Sequence, residues 1–283
     1  MVLALVQAAA RNCLKSRNQL LMIIEGVRFT NGGAAIGTEN RTAKSGHISI
    51  IPQSQIGKGP PVTYKINAMP PQVPTELIEK ASRAETATIG HRRQLGFVDR
   101  RIQGLSPGRI AGTAVTVAIP GQDSTLLHHV IQFLRPGDVL VIDRLGDDRH
   151  ACLGGGVAVA IKATGCAGVI LDGPATDRSE ILAEKLPVWC RGLAPITTRI
   201  LNIGGAFNVD VSCGGAVVHP GDLVIADESG VLIMTMDDCE SDLDWALGKQ
   251  AGEPDSHVKM RGGERIGERS GASGLVNRQL EGK

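Results

Sequence analysis

Two glycine-rich stretches of this chain stand beside carboxylates, and each has residues able to do chemistry. The first runs Asp143-Arg-Leu-Gly-Asp147 and then Gly154-Gly-Gly156, at the start of an expected helix. Glycines there let backbone N–H groups approach an anion at the helix's positive end, so a carboxylate or phosphate could sit on them. The same glycines also suit close helix packing, and spacing alone does not choose. Their order is neither the GxGxxG dinucleotide fingerprint nor a GxxxxGK[ST] loop. The second stretch is Leu171-Asp-Gly-Pro-Ala-Thr-Asp177-Arg-Ser-Glu-Ile181, a strand end, a turn and a helix. Ligands gather at the carboxyl ends of strands in open α/β sheets, and a hard cation such as magnesium takes one or two carboxylates plus waters. Asp172 and Asp177 fit that description. An Asp at a turn is also a common helix cap, and Asp177 could cap the helix that holds Glu180 and Ile181.

These residues need an alternating frame of strands and helices to hold them, and the pattern supplies one. Thr75 is a plausible N-cap for a helical run through Ala84. Gly112–Ile119 is a β-branched strand, Ser124–Phe133 a helix, and Val139–Ile142 a short buried strand. Leu153–Thr164 is a close-packed helix ending near Lys162, Gly168–Asp172 the next strand, and Val188–Arg191 and Leu223–Ala226 continue the series. Pro136-Gly-Asp-Val-Leu-Val-Ile-Asp143 and Pro220-Gly-Asp-Leu-Val-Ile-Ala-Asp227 echo each other. The economical reading is one turn chemistry used twice, not a duplication. His128 and His129 adjoin on an expected helix and cannot both face one ligand, so neither is placed in the site.

Composition narrows the function classes. A formal charge of +1 offers no field for nucleic acid or an anionic membrane, so neither is expected as a partner. The 36 glycines and 2% aromatic content suit an α/β enzyme packed through small side chains. Six cysteines without CxxC or CxxH spacing signal neither a zinc knuckle nor a disulfide framework, and a reducing cytoplasm is the expected setting. No apolar run is long enough to span a membrane, and the apolar start is followed by Arg11, Lys15 and Arg17, the reverse of a secretory signal. Residues 1–72 carry eight Lys/Arg against Glu25 and Glu39, a net of +6. They read as a basic Gly/Pro-rich extension, residues 73–260 as the catalytic body, and residues 261–283 as a flexible tail.

Several motifs then occur in a recognisable order. They are Gly108-Arg-Ile-Ala-Gly-Thr-Ala-Val-Thr-Val117, Pro136–Asp143, Gly154-Gly-Gly156, Gly168-Val-Ile-Leu-Asp-Gly173, Pro187-Val-Trp-Cys-Arg-Gly192 and Pro220–Val231. Over roughly Thr75 to Glu253 the chain resembles the RraA-like family. That family includes 4-hydroxy-4-methyl-2-oxoglutarate aldolases, oxaloacetate decarboxylases and a protein regulator that inhibits ribonuclease E; some members were formerly labelled menaquinone methyltransferases. The resemblance implies a three-layer β/β/α swivelling-domain-like fold and a homotrimer or homohexamer. It implies a lyase dependent on Mg2+ or Mn2+ that cleaves or decarboxylates a small 2-keto acid and releases pyruvate through a metal-stabilised enolate. The alternative is a non-enzymatic regulator. A methyltransferase is disfavoured because no Gly-rich nucleotide loop precedes an acid at the usual spacing.

Carried over residue by residue, Asp177 is the metal ligand and catalytic centre. The amides of Gly154, Gly155, Gly156 and Val157 are the cradle for the pyruvate carboxylate. The Arg that contacts substrate in the aldolases is Thr176 here, and the acid that often follows the first cradle glycine is Gly155. A guanidinium makes a bidentate contact that Thr cannot replace. Arg178 is the first substitute in line, with Arg144 and Arg191 as other candidates whose bland reading is a surface ion pair. Glu253 resembles a catalytic Glu that reaches the site of a neighbouring subunit.

Overall fold

The computed structural model describes residues 63–282. The expectations for residues 1–62, including most of the basic extension, lie outside the described residues. The strands, in chain order, are β1 Thr63–Ile66, β2 Gln103–Gly104, β3 Ile110–Ala118, β4 Asp138–Asp143, β5 Gly168–Asp172, β6 Val188–Cys190, β7 Gly204–Phe207, β8 Val211–Cys213, β9 Ala216–Val218, β10 Leu223–Ala226 and β11 Val231–Met234. The helices are α1 Thr75–Ala81, α2 Thr86–Ile89, α3 Thr125–Val130 with a 3-10 turn at Ile131–Phe133, α4 Gly155–Ala163, α5 Arg178–Ala183, α6 Met236–Ala251, α7 Glu253–Arg261, α8 Ile266–Arg269 and α9 Ala272–Glu281.

All nine residues of β3 are buried. It is the axis of the main sheet, with β4 parallel along one edge and β10 and β7 antiparallel at opposite ends of the other. The order β1-β7-β3-β4-β5-β6-β2 continues outward, and β3, β4, β5 and β6 run parallel. Parallel strands covered on both faces read as unbroken apolar runs. Period-two alternation then divides their side chains between two layers. Val115, Val117, Leu140, Ile142, Val169 and Leu171 pack with Leu126, Leu127 and Val130 of α3, Ala158 and Ile161 of α4 and Ile181 of α5. Ala114, Val139, Val141 and Ile170 face the other way, onto Val211, Cys213 and Val218 of the separate β8–β9 hairpin. Helices, main sheet and hairpin are thus the expected α/β arrangement of three layers, β/β/α. Each fully buried Val, Leu or Ile contributes about 1.5–3 kcal/mol.

The repeated Pro-Gly-Asp segments are one device used twice. Gly137 and Gly221 hold positive φ angles of 84° and 98°, where an L side chain is strained. Asp138 accepts the Arg135 amide at 2.8 Å, and Asp222 accepts the His219 amide at 2.8 Å. Each carboxylate closes a turn that feeds a buried strand, which is the turn-chemistry reading.

Some local readings shift. Thr75 is the first residue of α1, whose N-cap is Pro74 with no side-chain cap. Strand β1 precedes residue 73, where the body was expected to begin, and pairs in parallel with β7. Within the segment expected to be a flexible tail, Ile266–Arg269 and Ala272–Glu281 form α8 and α9, neither of which has a buried residue.

Candidate active site

Because β4 and β5 are parallel neighbours, their carboxyl ends open on the same side of the sheet. The chain leaving β4 loops round to start α4 and the chain leaving β5 turns into α5. The Thr176 amide donates to the Leu153 carbonyl at 2.9 Å and ties the two loops together. Between them lies a cleft of about 570 Å3, lined by Gly154, Gly155, Gly156, Val157, Thr176 and Asp177. Its far walls are α3, through Ser124, His128 and Gln132, and the segment Thr197–Ile200.

Asp177 occupies the N-cap position of α5 in left-handed backbone, φ 50° and ψ 44°, but its side chain does not cap that helix. The carboxylate turns instead to the other helix start, where Oδ2 accepts the Gly155 amide at 3.1 Å. The Thr176 hydroxyl donates to Oδ1 at 3.3 Å. This explains the glycines. A Cβ on Gly154 would lie 2.6 Å from Asp177 Oδ2, and a Cβ on Gly155 would overlap the Glu180 carboxylate. The acid expected at 155 from the resemblance is therefore matched by Glu180, whose carboxylate arrives over the same spot from α5. The first intrahelical bond of α4 runs from the Ala158 amide to the Gly154 carbonyl at 2.9 Å. The amides of Gly156 and Val157 have no acceptor within the helix and stand at its positive end.

The other expected residues separate from this group. Arg178, the first substitute in line for the missing Arg, stands outside the cleft. Its Nη2 donates to the Leu105 carbonyl at 3.1 Å, beside β2. Arg144 is fully buried, donates to the carbonyls of Gly121 and His150, and reaches Asp147 at 3.8 Å. Arg191 pairs with Asp172 and, at 3.8 Å, with Asp99. Asp172 also accepts the Gly214 amide at 2.6 Å, so its work is structural and it does not reach the cleft. Glu253 opens α7 and lines no part of its own chain's cleft.

Sequence reasoning missed the far wall. His128 lines the cleft while His129 turns to Phe133, with ring centroids 5.5 Å apart. Adjacency did rule out both facing the site, but one of them does. Arg199, Thr197 and Thr198 sit in a stretch without periodicity, so no local signal marks them. Asp123 holds that stretch in place. Its carboxylate accepts the amides of Leu201 at 3.0 Å, Ile203 at 2.7 Å and Thr125 at 2.9 Å, and the Thr125 hydroxyl at 2.5 Å. Burial pushes this carboxyl up, but those hydrogen bonds outweigh it and bring the pKa down to about 2.

A divalent cation can be tested against these donors. Among the described residues no three His, Cys, Asp or Glu side chains cluster as a ligand set. Magnesium needs fewer, since it binds through one or two carboxylates and keeps its waters. An exposed Asp177 that lines the cleft fits that mode.

A lone carboxylate and a glycine-rich helix start are thus brought together in one cleft at the ends of the parallel strands of a three-layer α/β protein. The chain belongs to the Aldolase/RraA family, whose RraA-like model matches residues 75–233, more than half its length. It is 35% identical over 143 residues to a Halalkalibacterium halodurans protein provisionally named 4-hydroxy-4-methyl-2-oxoglutarate aldolase, covering 50% of this chain and 68% of that one. It is 32% identical over 127 residues to the 4-hydroxy-4-methyl-2-oxoglutarate aldolase of Thermus thermophilus, covering 44% and 76% respectively. Among solved structures it is similar to Streptomyces coelicolor RraAS2, an unusual member of the RNase ES inhibitor RraA family. That match has a TM-score of 0.58 and 27% identity, over 66% of this chain and 98% of that one.

Proposed function

We propose that this protein is a lyase that cleaves or decarboxylates a small 2-keto acid and releases pyruvate, with Mg2+ or Mn2+ held at Asp177. The observation that carries the reading is Asp177 lining the cleft beside the α4 amides. Those of Gly156 and Val157 are free to bind the substrate's C1 carboxylate, where the helix dipole favours an anion. The Gly155 amide and the Thr176 hydroxyl keep the Asp177 carboxylate in one orientation. A bound divalent cation would polarise the keto oxygen and stabilise the negative charge left when the adjacent carbon–carbon bond breaks. The family's aldolase-named relatives support a lyase at this level. Assembly as a trimer or hexamer, with Glu253 completing a neighbour's site, and a cytoplasmic location belong to the same proposal. No helix among the described residues is long and apolar enough to cross a membrane.

The test is pyruvate release from oxaloacetate and from 4-hydroxy-4-methyl-2-oxoglutarate, with and without magnesium or manganese. Release that needs the metal and is lost in Asp177→Ala supports the lyase. Release unchanged by chelator or by Asp177→Ala overturns it. The likeness to RraAS2, together with Thr176 where an Arg is expected, favours a second reading, a protein-binding regulator. A folded protein that binds no metal and turns over neither substrate would select it.

A further inference from the structure

The cleft has one end prepared for a carboxylate, the start of α4, and the residues of its opposite wall show what the other end prefers. Among the described residues that line the cleft, Arg199 is the only Lys or Arg and Asp177 is the only acid. The neighbouring arginines are already engaged: Arg178 with Leu105, Arg191 with Asp172, and Arg144 with Gly121. The Arg199 guanidinium has no hydrogen-bond or ion-pair partner among the described residues.

Its backbone, by contrast, is held firmly. The Arg199 amide donates to the Gln122 carbonyl at 2.8 Å, and its carbonyl accepts the Ser124 amide at 3.0 Å. Two and four residues later, the Leu201 and Ile203 amides are clasped by the buried Asp123. A side chain on such an anchored segment loses less freedom when it binds than one on a free loop. A second observation comes from beneath the cleft. Arg144 is wholly buried, and its Nε and Nη1 atoms have no hydrogen-bond partner among the described residues. Its acidic neighbour at 3.8 Å, Asp147, is shared with His150. The Arg144 guanidinium adjoins the Cys152 thiol, which lines the cleft. Arg144 has Asp147 as its acidic neighbour, so the positive charge left without a counter-charge among the described residues is that of Arg199 on the cleft wall, and an anion entering the cleft gains from it.

We propose that Arg199 is the specificity-determining residue of this cleft and pairs with the distal carboxylate of a dicarboxylic 2-keto acid whose C1 carboxylate sits on the α4 amides. The keto-acid identity of the ligand rests on the lyase reading above; the selection of a second carboxylate rests on Arg199. The assignment also accounts for Thr176, since a guanidinium on the opposite wall supplies the charge that position lacks.

Equilibrium binding of 2-oxoglutarate, with two carboxylates, and pyruvate, with one, is measured by calorimetry on the full chain with magnesium present. The proteins compared are wild type, Arg199→Ala and Arg199→Lys, each checked for an unchanged unfolding midpoint. The expected result is a tenfold or greater weakening of 2-oxoglutarate binding in Arg199→Ala with pyruvate affinity unchanged. Arg199→Lys should fall between, because an ammonium keeps the charge but not the bidentate fork. Equal loss for both ligands, no loss for either, or a wild type that binds neither overturns the assignment. Pyruvate release is assayed on the same preparations and separates the two proposals. A wild type that discriminates through Arg199 yet releases no pyruvate sinks the lyase and leaves the carboxylate site standing, whereas turnover indifferent to Arg199→Ala does the reverse.

Discussion

The Asp177 carboxylate accepts the amide of Gly155, the first residue of a helix that begins 22 residues earlier in the chain, at 3.1 Å. The side chain thus leaves its own helix uncapped to reach the start of another. A residue serving only local structure would cap α5, since an N-cap bond is worth about 1 kcal/mol. Asp177 also holds a φ of 50°, a left-handed conformation that costs a non-glycine residue roughly 1–2 kcal/mol.

That strain yields a test. Asp177→Gly should be more stable than Asp177→Ala by about 1 kcal/mol, because glycine adopts this φ freely and alanine does not. Both variants should lose at least a hundredfold in metal-dependent pyruvate release. Urea unfolding beside the coupled assay reads both, and equal stability of the two variants would refute the strain argument.

Gly155 and Glu180 should behave as a coupled pair. A Cβ at 155 overlaps the Glu180 carboxylate and approaches Glu180 Cβ at 2.9 Å, so Gly155→Ala should cost about 1–2 kcal/mol. In Gly155→Ala/Glu180→Gly, which removes both the carboxylate and that Cβ, most of that cost should disappear relative to Glu180→Gly alone. A double-mutant cycle measures the coupling, and strict additivity would show that the two side chains do not compete for the space.

Asp123 should set the acid sensitivity of the far wall. Its folded pKa of about 2 lies below the unfolded value, so the deprotonated form favours the fold. The sign is therefore fixed: its contribution is fully present above about pH 4 and is lost as pH falls from about 4 to about 2. Asp123→Asn should be less stable than wild type at neutral pH, and the gap in urea midpoints should close across that window. Asp123→Ala should cost roughly 2–3 kcal/mol and weaken 2-oxoglutarate binding through the loosened Arg199 segment.

Thr176→Arg returns a guanidinium to the near wall. Under the lyase reading, turnover of the two substrates changes by fivefold or more while the unfolding midpoint stays put. A wild type and a Thr176→Arg variant that are both inert with metal bound would point to a different keto-acid substrate, whereas two inert proteins that bind no metal would move the assignment to the regulator.

Much of the frame was legible in the residues themselves. Apolar runs at 112–119, 139–142 and 168–172 mark buried strands to within two residues of those observed, and the turn at each Pro-Gly-Asp carries its own conformational demand. The Gly154 and Asp177 segments were legible too, because glycines before a helix and an Asp after a strand are local patterns with a local physical reason. Arg178 shows where that reasoning stops. It adjoins Asp177 in the chain, yet its side chain reaches Leu105, away from the cleft.

By itself, then, the sequence determined the alternation of strand and helix, the family resemblance, and the two loops that meet at the near wall. Hydrophobic periodicity and turn chemistry act over a few residues and can be read in order. Only the tertiary structure decided that Asp177 serves Gly155 and not its own helix, that Glu180 occupies the space above Gly155, and that Arg199 and His128 complete the cleft. Those relationships join residues from 22 to more than 70 positions apart in the chain, and the packing of layers that creates them leaves no local pattern in the sequence.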